Sequence, residues 1–281
     1  MLKIAVIGDP IEHSMSPIVH GAALSALNVD YEYEKTRVKK GEIAEYIEYA
    51  KENKICGFNL TMPHKVDVIP YLSEIDESGI FFESVNTVCV KDGKLYGYNT
   101  DGIGYGLSLK RSGYEFKNSR VVILGSGGVV RTLALSAAKE GAESICILNR
   151  TIMRAEEVCK IVSDRISAKI DCGKLDNREL EERCGNADIV INATPLGMSG
   201  YDGEFSDYNF LDYIPKSALI SDLIYNPCET NLLIEAKERG IKTQNGLGML
   251  IYQALVADEY FLGRKIDIES IYDTVIEKIR T

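Results

Sequence analysis

The chain alternates short apolar, β-branched runs with longer segments whose apolar residues return every three or four positions. That is the pattern of β-α units that stack their strands into a mostly parallel sheet. KIAVIG, beginning at Lys3, reads as a first strand, and Ser16-Pro17 reads as an N-cap with proline at the first helical position, opening a helix through about Leu27. YEYEKTRV alternates as a strand, GEIAEYIEYAKEN has helical spacing, ICGFNLTM is a buried strand and KVDVIPYL a short helix. Then the rhythm changes. SVNTVCVKDGKLYGYNTD holds two alternating runs joined by Asp92-Gly93, a dipeptide suited to a two-residue type I′ hairpin, and NTDGIGYGLSLKRSG continues as a helix. SRVVILGSGGVVR starts afresh with a strand and a glycine-rich turn, placing a domain boundary near residues 102–118. The second half is expected to run strand, helix, strand at SICILNR, helix, strand at DIVINATP, strand at ALISDLIYNP, helix and a short strand near KTQNG. A last helical pattern, GLGMLIYQALVADEYF, follows another glycine-rich turn and is expected to return to the first domain.

Composition changes this picture little. With 281 residues, 45% hydrophobic and 26% charged, the chain has the balance of a globular protein and the length for one large domain or two. A net charge of −10 and a pI near 5.0 argue against nucleic acid or an anionic membrane as the main partner. Seven cysteines without a CxxC pair indicate neither a zinc ribbon nor a secreted disulfide framework, so reduced thiols in a cytoplasmic protein are expected. MLKIAVIGD lacks the long apolar core of a signal peptide. No segment approaches the roughly 20 apolar residues that span a bilayer.

Candidate chemistry gathers at strand ends. In VVILGSGGVV the glycines at 125, 127 and 128 allow a backbone to approach a pyrophosphate at the positive end of a helix, although a plain β-α turn would look the same, and Val130 stands where a third small residue is usual. The next strand carries Asn149, Arg150, Thr151 and Arg154 where an NAD-preferring site places a carboxylate. Two guanidiniums and a hydroxyl there suit the 2′-phosphate of NADP. NATPLGM and LIYNP also follow strands, where ligands of open α/β sheets bind, but read equally well as turns. In NLTMPHK, Lys65 follows a strand end bearing Asn59 and Thr61, and the later SVNT and YNTD present Asn86 and Asp101. If those strands are neighbours, Asp101 holds the Lys65 ammonium, which can give a proton to a developing alkoxide and take it back in reverse. Ser14 and Ser16 could donate to a carboxylate, with Ser16 as an N-cap the plainer reading. His13, His20 and His64 are too dispersed for a metal site, and no metal is expected.

Taken together these motifs resemble the shikimate dehydrogenase family. SMSP, NLTMPHK, VNT, NTDG, GSGGVVR, NRTIMR, NATPLGM, YNPCET and NGLGMLIYQ fall in that family's order across nearly the whole chain. The resemblance implies NADPH-dependent, reversible reduction of 3-dehydroshikimate to shikimate in aromatic amino acid biosynthesis, a homodimer being compatible with it. It makes Lys65 the acid-base residue and Asp101 its partner, with Ser14 and Ser16 on the substrate carboxylate and Asn59, Thr61, Asn86, Tyr225 and Gln253 as further contacts. Gly125, Ser126, Gly127, Gly128 and Val129 would cradle the pyrophosphate, and Asn149, Arg150, Thr151 and Arg154 would read the 2′-phosphate. Thr194, Leu223, Gly246 and Met249 would line the nicotinamide side, with Glu77 also near the cofactor. The implied fold is α/β: an N-terminal substrate-binding catalytic domain over residues 1–103, a Rossmann-like NADP-binding domain over 104–245 with a mostly parallel sheet, and C-terminal helices over 246–281 returning to the first. A cleft between the domains, closing to exclude water, is part of that implication. Ser126, Val129 and Val130 depart from the family's small residues and bear on cofactor affinity. Acceptance of quinate, use of NAD, and a non-catalytic NADP sensor remain alternatives; retention of both Lys65 and Asp101 favours an enzyme.

Overall fold

The computed structural model describes residues 1–280. It divides into two compact units, Met1–Gly104 with Leu250–Thr281, and Tyr105–Met249, each holding one six-stranded sheet. The first unit opens with β1 (Leu2–Gly8), α1 (Ser16–Ala26), β2 (Tyr31–Arg37), α2 (Ile43–Glu52), β3 (Gly57–Leu60) and α3 (His64–Asp67). It continues with β4 (Glu74–Ile75), α4 (Glu77–Phe82), β5 (Thr87–Lys91), β6 (Lys94–Tyr98) and the start of α5 (Asp101–Arg111). Strand order is β2-β1-β3-β5-β6-β4. β1 runs parallel to β2 and β3, whereas β5 is antiparallel to both β3 and β6. The β5–β6 reversal follows from a tight hairpin, whose Asp92 and Gly93 have φ of 51° and 73°, the positive pair a type I′ turn needs.

Alternation along β1 sends Ala5 and Ile7 to one face, where they meet Phe58, Leu60 and the apolar stripe Tyr46, Ile47 and Ala50 of α2. Phe58 is wholly buried there, a contribution of about 1.5–3 kcal/mol by transfer. Two local expectations shift. Met15, not Ser16, is the N-cap of α1, because the Ser14 hydroxyl already accepts the Ser16 N–H at 3.3 Å; Pro17 is therefore second in the helix. The run KVDVIPYL is not one helix but α3 followed by a 3-10 turn at Ile69–Tyr71, since Pro70 has no N–H to continue an α-helical ladder. β4 and α4 were not expected, though Asp76 at the α4 N-cap, accepting Gly79 N–H at 2.9 Å, carries a readable signal.

The second unit comprises β7 (Arg120–Leu124), α6 (Gly128–Lys139), β8 (Ser144–Asn149), α7 (Ile152–Ser163), β9 (Ile170–Lys174), α8 (Asn177–Cys184) and β10 (Ile189–Asn192). β11 (Leu219–Asp222), α9 (Asn231–Glu238) and β12 (Lys242–Gln244) complete it. All its strands are parallel in the order β12-β11-β10-β7-β8-β9. This is the doubly wound order, with its switch point between β7 and β10, where such sheets bind ligands beyond the strand ends. β9 and α8 are absent from the expected sequence of elements. β9 is a half-buried edge strand carrying Asp171 and Lys174 in five residues, and α8 is short and highly charged, so neither shows a clear apolar period. Val130, expected to crowd helix against strand, lies wholly buried in the first turn of α6.

The chain ends in α10 (Leu247–Leu262) and α11 (Ile268–Arg280), which count with the first unit from Leu250 onward. Ala257 and Phe261 of α10 pack on Ile4, Leu24 and Cys89, covering the face of the first sheet opposite α2. No helix among the described residues is long and apolar enough to cross a membrane.

At the N-terminal edge of the second sheet, Arg120 holds Asp188 through Nε at 2.9 Å and Nη2 at 3.0 Å. The guanidinium holds the Asp188 carboxyl below its ordinary 3.8. A carboxyl with a depressed folded pKa contributes stability that is present above the unfolded value and is lost as pH falls through the folded one. Urea unfolding of Asp188→Asn should therefore lose stability less steeply than wild type as pH drops below about 4. Parallel curves for the two proteins would show that the pair contributes nothing.

Candidate active site

Lys65 and Asp101 lie 36 residues apart in sequence and meet at 2.5 Å, Nζ donating to Oδ2. Each is placed by its own backbone. Lys65 sits in α3, one residue after His64, whose fully buried ring donates from Nε2 to the Val38 carbonyl at 2.6 Å; a carbonyl only accepts, so Nε2 carries the proton. The Lys65 carbonyl in turn accepts Val85 N–H at 2.8 Å. Asp101 begins α5 just after β6, and its backbone N–H is taken by the Asn99 side chain at 3.1 Å. The ammonium end is 28% exposed and the carboxylate only 8%, so a ligand can reach the lysine while the acid stays fixed behind it.

Asn86 completes the group. Its amide donates to Asp101 Oδ1 at 2.8 Å and to Thr100 Oγ1 at 2.9 Å, with Gln253 Oε1 at 3.4 Å. Its carbonyl accepts Thr100 N–H at 2.9 Å and the Thr87 hydroxyl at 3.0 Å, which leaves one orientation for the side chain. Thr87 also accepts from Asn59 Nδ2 at 3.2 Å, and Asn59 Oδ1 accepts from the Tyr33 hydroxyl at 2.8 Å. Lys65, Asp101, Asn86, Asn59 and Gln253 thus form one hydrogen-bonded assembly. Thr61 follows β3 with its N–H on the Ile7 carbonyl at 3.0 Å. Ser14 Oγ donates to Ser16 Oγ at 3.2 Å, so Ser16 is not spent on capping. Their loop is tied down by Arg37 Nε to Asp9 at 2.6 Å and Lys35 to the Glu12 carbonyl at 2.7 Å. Thr87, Thr100 and Tyr33 were missed as members of the assembly. The paired Asn-Thr of VNT and YNT was a signal for the threonines.

In the second unit the glycine turn lies at the switch point. Gly125 has φ of +110°, and a Cβ there would come within 2.9 Å of the Ala193 carbonyl, so both the conformation and the approach to the β10 end require glycine. A Cβ on Gly127 or Gly128 would meet nothing within 4 Å, and the α6 N-terminus has no side-chain cap, so the turn leaves open space beside its first two N–H groups, the third, of Val130, being held by the Gly127 carbonyl at 2.9 Å. Beyond β8, Arg150, Thr151 and Arg154 are exposed, and neither guanidinium carries an ion pair among the described residues. Asn149 Nδ2 donates to the Thr151 carbonyl at 2.8 Å and shapes that turn. A dinucleotide bearing an extra phosphate fits this set: open amides for the pyrophosphate and unpaired cations for the phosphate.

Thr194 is fixed by Asn192 Oδ1, which accepts its N–H at 3.1 Å and its hydroxyl at 2.7 Å. Asn192 donates to the wholly buried Asp222 at 3.1 Å, and Thr230 does so at 2.7 Å. Burial pushes the Asp222 carboxyl up, opposed by those donors. Asn192 opens the NATPLGM stretch singled out in the sequence, but its partner Asp222 escaped the reading, being hidden among strand residues. Gly246 lies so close to Leu223 that a Cβ would fall 2.0 Å from its carbonyl oxygen, bringing the β11 end and the approach to α10 together. Met249 is half-buried in the first turn of α10, and Tyr225 is half-buried in the turn after β11, with burial pushing its phenol up. Glu77 is exposed at the start of α4, in the first unit, whereas the other cofactor candidates belong to the second.

A doubly wound sheet with a glycine turn at its switch point, in a chain that also carries a lysine-aspartate pair, defines a dinucleotide-dependent oxidoreductase class. Residues 6–88 match the family model described as the shikimate dehydrogenase substrate binding domain, and residues 107–196 that of shikimate / quinate 5-dehydrogenase. A curated shikimate dehydrogenase (NADP(+)) of Alkaliphilus metalliredigens is 39% identical over 276 residues, covering 98% of this chain and 96% of the relative. A crystal structure of a shikimate dehydrogenase in complex with NADP+ superposes with a TM-score of 0.88 at 38% identity, covering 99% of this chain and 96% of that one. The shikimate 5-dehydrogenase of Listeria monocytogenes, in complex with shikimate and NAD, gives 0.87 at 30% identity over 97% and 96%. The chain belongs to the shikimate dehydrogenase family.

Proposed function

We infer that this chain catalyses the reversible, NADPH-dependent reduction of 3-dehydroshikimate to shikimate. The observation that carries the reading is the Lys65–Asp101 pair at 2.5 Å, held by Asn86 in a chain whose relatives are named for this reaction. NADPH, when bound, supplies the hydride. Lys65 gives a proton to the carbonyl oxygen as charge develops on it, and in the oxidative direction takes it from the hydroxyl. Asp101 steadies the ammonium through Oδ2 and keeps acceptor capacity for a substrate hydroxyl. Asn59, Thr61, Asn86, Gln253 and Tyr225 orient the ring hydroxyls, while Ser14 and Ser16 donate to the carboxylate. Residues 125–129 hold the pyrophosphate and Asn149, Arg150, Thr151 and Arg154 the 2′-phosphate, with Thr194, Leu223, Gly246 and Met249 on the nicotinamide side and Glu77 at the margin.

On this reading residues 1–103 are the substrate-binding catalytic domain, 104–245 the NADP-binding domain and 246–281 the returning helices. A homodimer in the cytoplasm, serving aromatic amino acid biosynthesis, belongs to the same proposal; the family resemblance and seven free cysteines support it. The test is purified protein with shikimate or quinate and NADP+ or NAD+, followed by reduced-nicotinamide absorbance. Fastest turnover is expected with shikimate and NADP+. Faster quinate turnover would move the substrate assignment, and no turnover with any pair would sink the enzyme.

A further inference from the structure

Behind the hydrogen-bonded assembly lie two ionisable groups that the reaction does not use. His20 Nδ1 and Asp258 Oδ1 share a hydrogen bond of 2.6 Å, and both side chains have no exposure at all. Among the described residues His20 Nε2 and Asp258 Oδ2 have no partner. Burying two such groups with polar atoms left over costs stability, and an apolar pair of the same volume would commonly hold the fold as well or better. Their location suggests a different use. His20 stands one turn after Ser16 on the same face of α1, and Asp258 lies on α10, the helix that carries Gln253. The pair therefore clips together the two helices that bring these two candidate substrate groups.

His20 also stacks on Tyr33, ring centroids 4.9 Å apart and planes 24° from parallel. Tyr33 passes this constraint on, since its hydroxyl donates to Asn59 Oδ1 at 2.8 Å and so sets that oxygen apart from the amide nitrogen, which donates to Thr87 at 3.2 Å. From Asn59 the hydrogen bonds run through Thr87 and Asn86 to Asp101 and Lys65. Burial pushes both the Tyr33 phenol and the Asp258 carboxyl up, which suits a hydroxyl that stays a donor.

We propose that His20, Asp258 and Tyr33 are positioning residues for the substrate pocket, the buried His20–Asp258 pair setting the ring of Tyr33 and Tyr33 setting Asn59. The inference rests on the functional reading above. Its test is steady-state kinetics, with KM measured separately for shikimate and NADP+, on wild type, Asp258→Leu, Asp258→Asn and Tyr33→Phe, alongside thermal unfolding. Loss of one ordering hydrogen bond should raise KM for shikimate about 5- to 20-fold in Asp258→Leu and Tyr33→Phe, with KM for NADP+ within about twofold. Asp258→Asn, which keeps a hydrogen bond to the ring, should recover most of the shikimate affinity. Should Asp258→Leu fail to fold, Tyr33→Phe, which removes a single oxygen, decides the matter. Shikimate KM unchanged in Tyr33→Phe, or both KM values rising together with falling thermal stability, would overturn the proposal. A wild type inert toward shikimate would sink the functional reading and the positioning role with it, whereas active wild type with unmoved variants sinks the positioning role alone.

Discussion

Lys65→Ala lowers kcat for shikimate oxidation by about 10²- to 10⁴-fold, the range for loss of a general acid-base group. The expectation comes from what the alanine leaves behind. Asp101, 6% exposed, keeps Asn86 on Oδ1 but loses the ammonium on Oδ2, and among the described residues no other cation is hydrogen-bonded to it. Cofactor affinity should not change, because the glycine turn and the two arginines belong to the second unit, residues 105–249. A structural loss would instead lower the unfolding temperature and weaken both substrates. A small primary amine added to Lys65→Ala should restore part of the rate by occupying the emptied position. Near-normal turnover in the variant would refute the role of Lys65.

Arg150→Ala raises KM for NADP+ by about 10- to 100-fold while leaving NAD+ nearly unaffected, the scale of one or two lost charge-assisted hydrogen bonds. Arg150 and Arg154 are exposed and without ion pairs among the described residues, so their charge is available to a ligand rather than neutralised within the fold. Removing a guanidinium that reads a phosphate affects only the cofactor that has the phosphate. An equal loss for both cofactors would assign Arg150 to the adenine or the pyrophosphate. Arg154→Ala should give the same sign of selectivity.

The Lys65–Asp101 pairing was legible because both residues stand near strand or helix ends, where a polar side chain in an apolar context signals a use other than solubility. Lys65 in NLTMPHK, following one strand end, and Asp101 in YNTD, following another, stand out in this way. The doubly wound half was legible through its strand periodicity, save for β9 and α8, whose charged residues carry no apolar stripe. Tyr33 was not legible. A tyrosine in an alternating strand reads as packing, and the amide it serves lies 26 residues away, a distance no local pattern spans. His20 and Asp258 are further apart still, 238 residues, and only the return of α10 to the first unit brings them together. Ser16 moved in the opposite direction: its sequence context favoured a cap, but Ser14 took over the amide and left the Ser16 hydroxyl for other work.

In the proposed reaction, hydride leaves a shikimate carbinol carbon for NADP+. Shikimate deuterated at the carbon that becomes the ketone, incubated with NADP+ and the purified wild-type protein, measures it directly. The account predicts deuterium on C4 of the reduced nicotinamide by NMR, with 3-dehydroshikimate formed in equal amount. Absence of labelled NADPH, or deuterium appearing in water with no reduced cofactor, would contradict it.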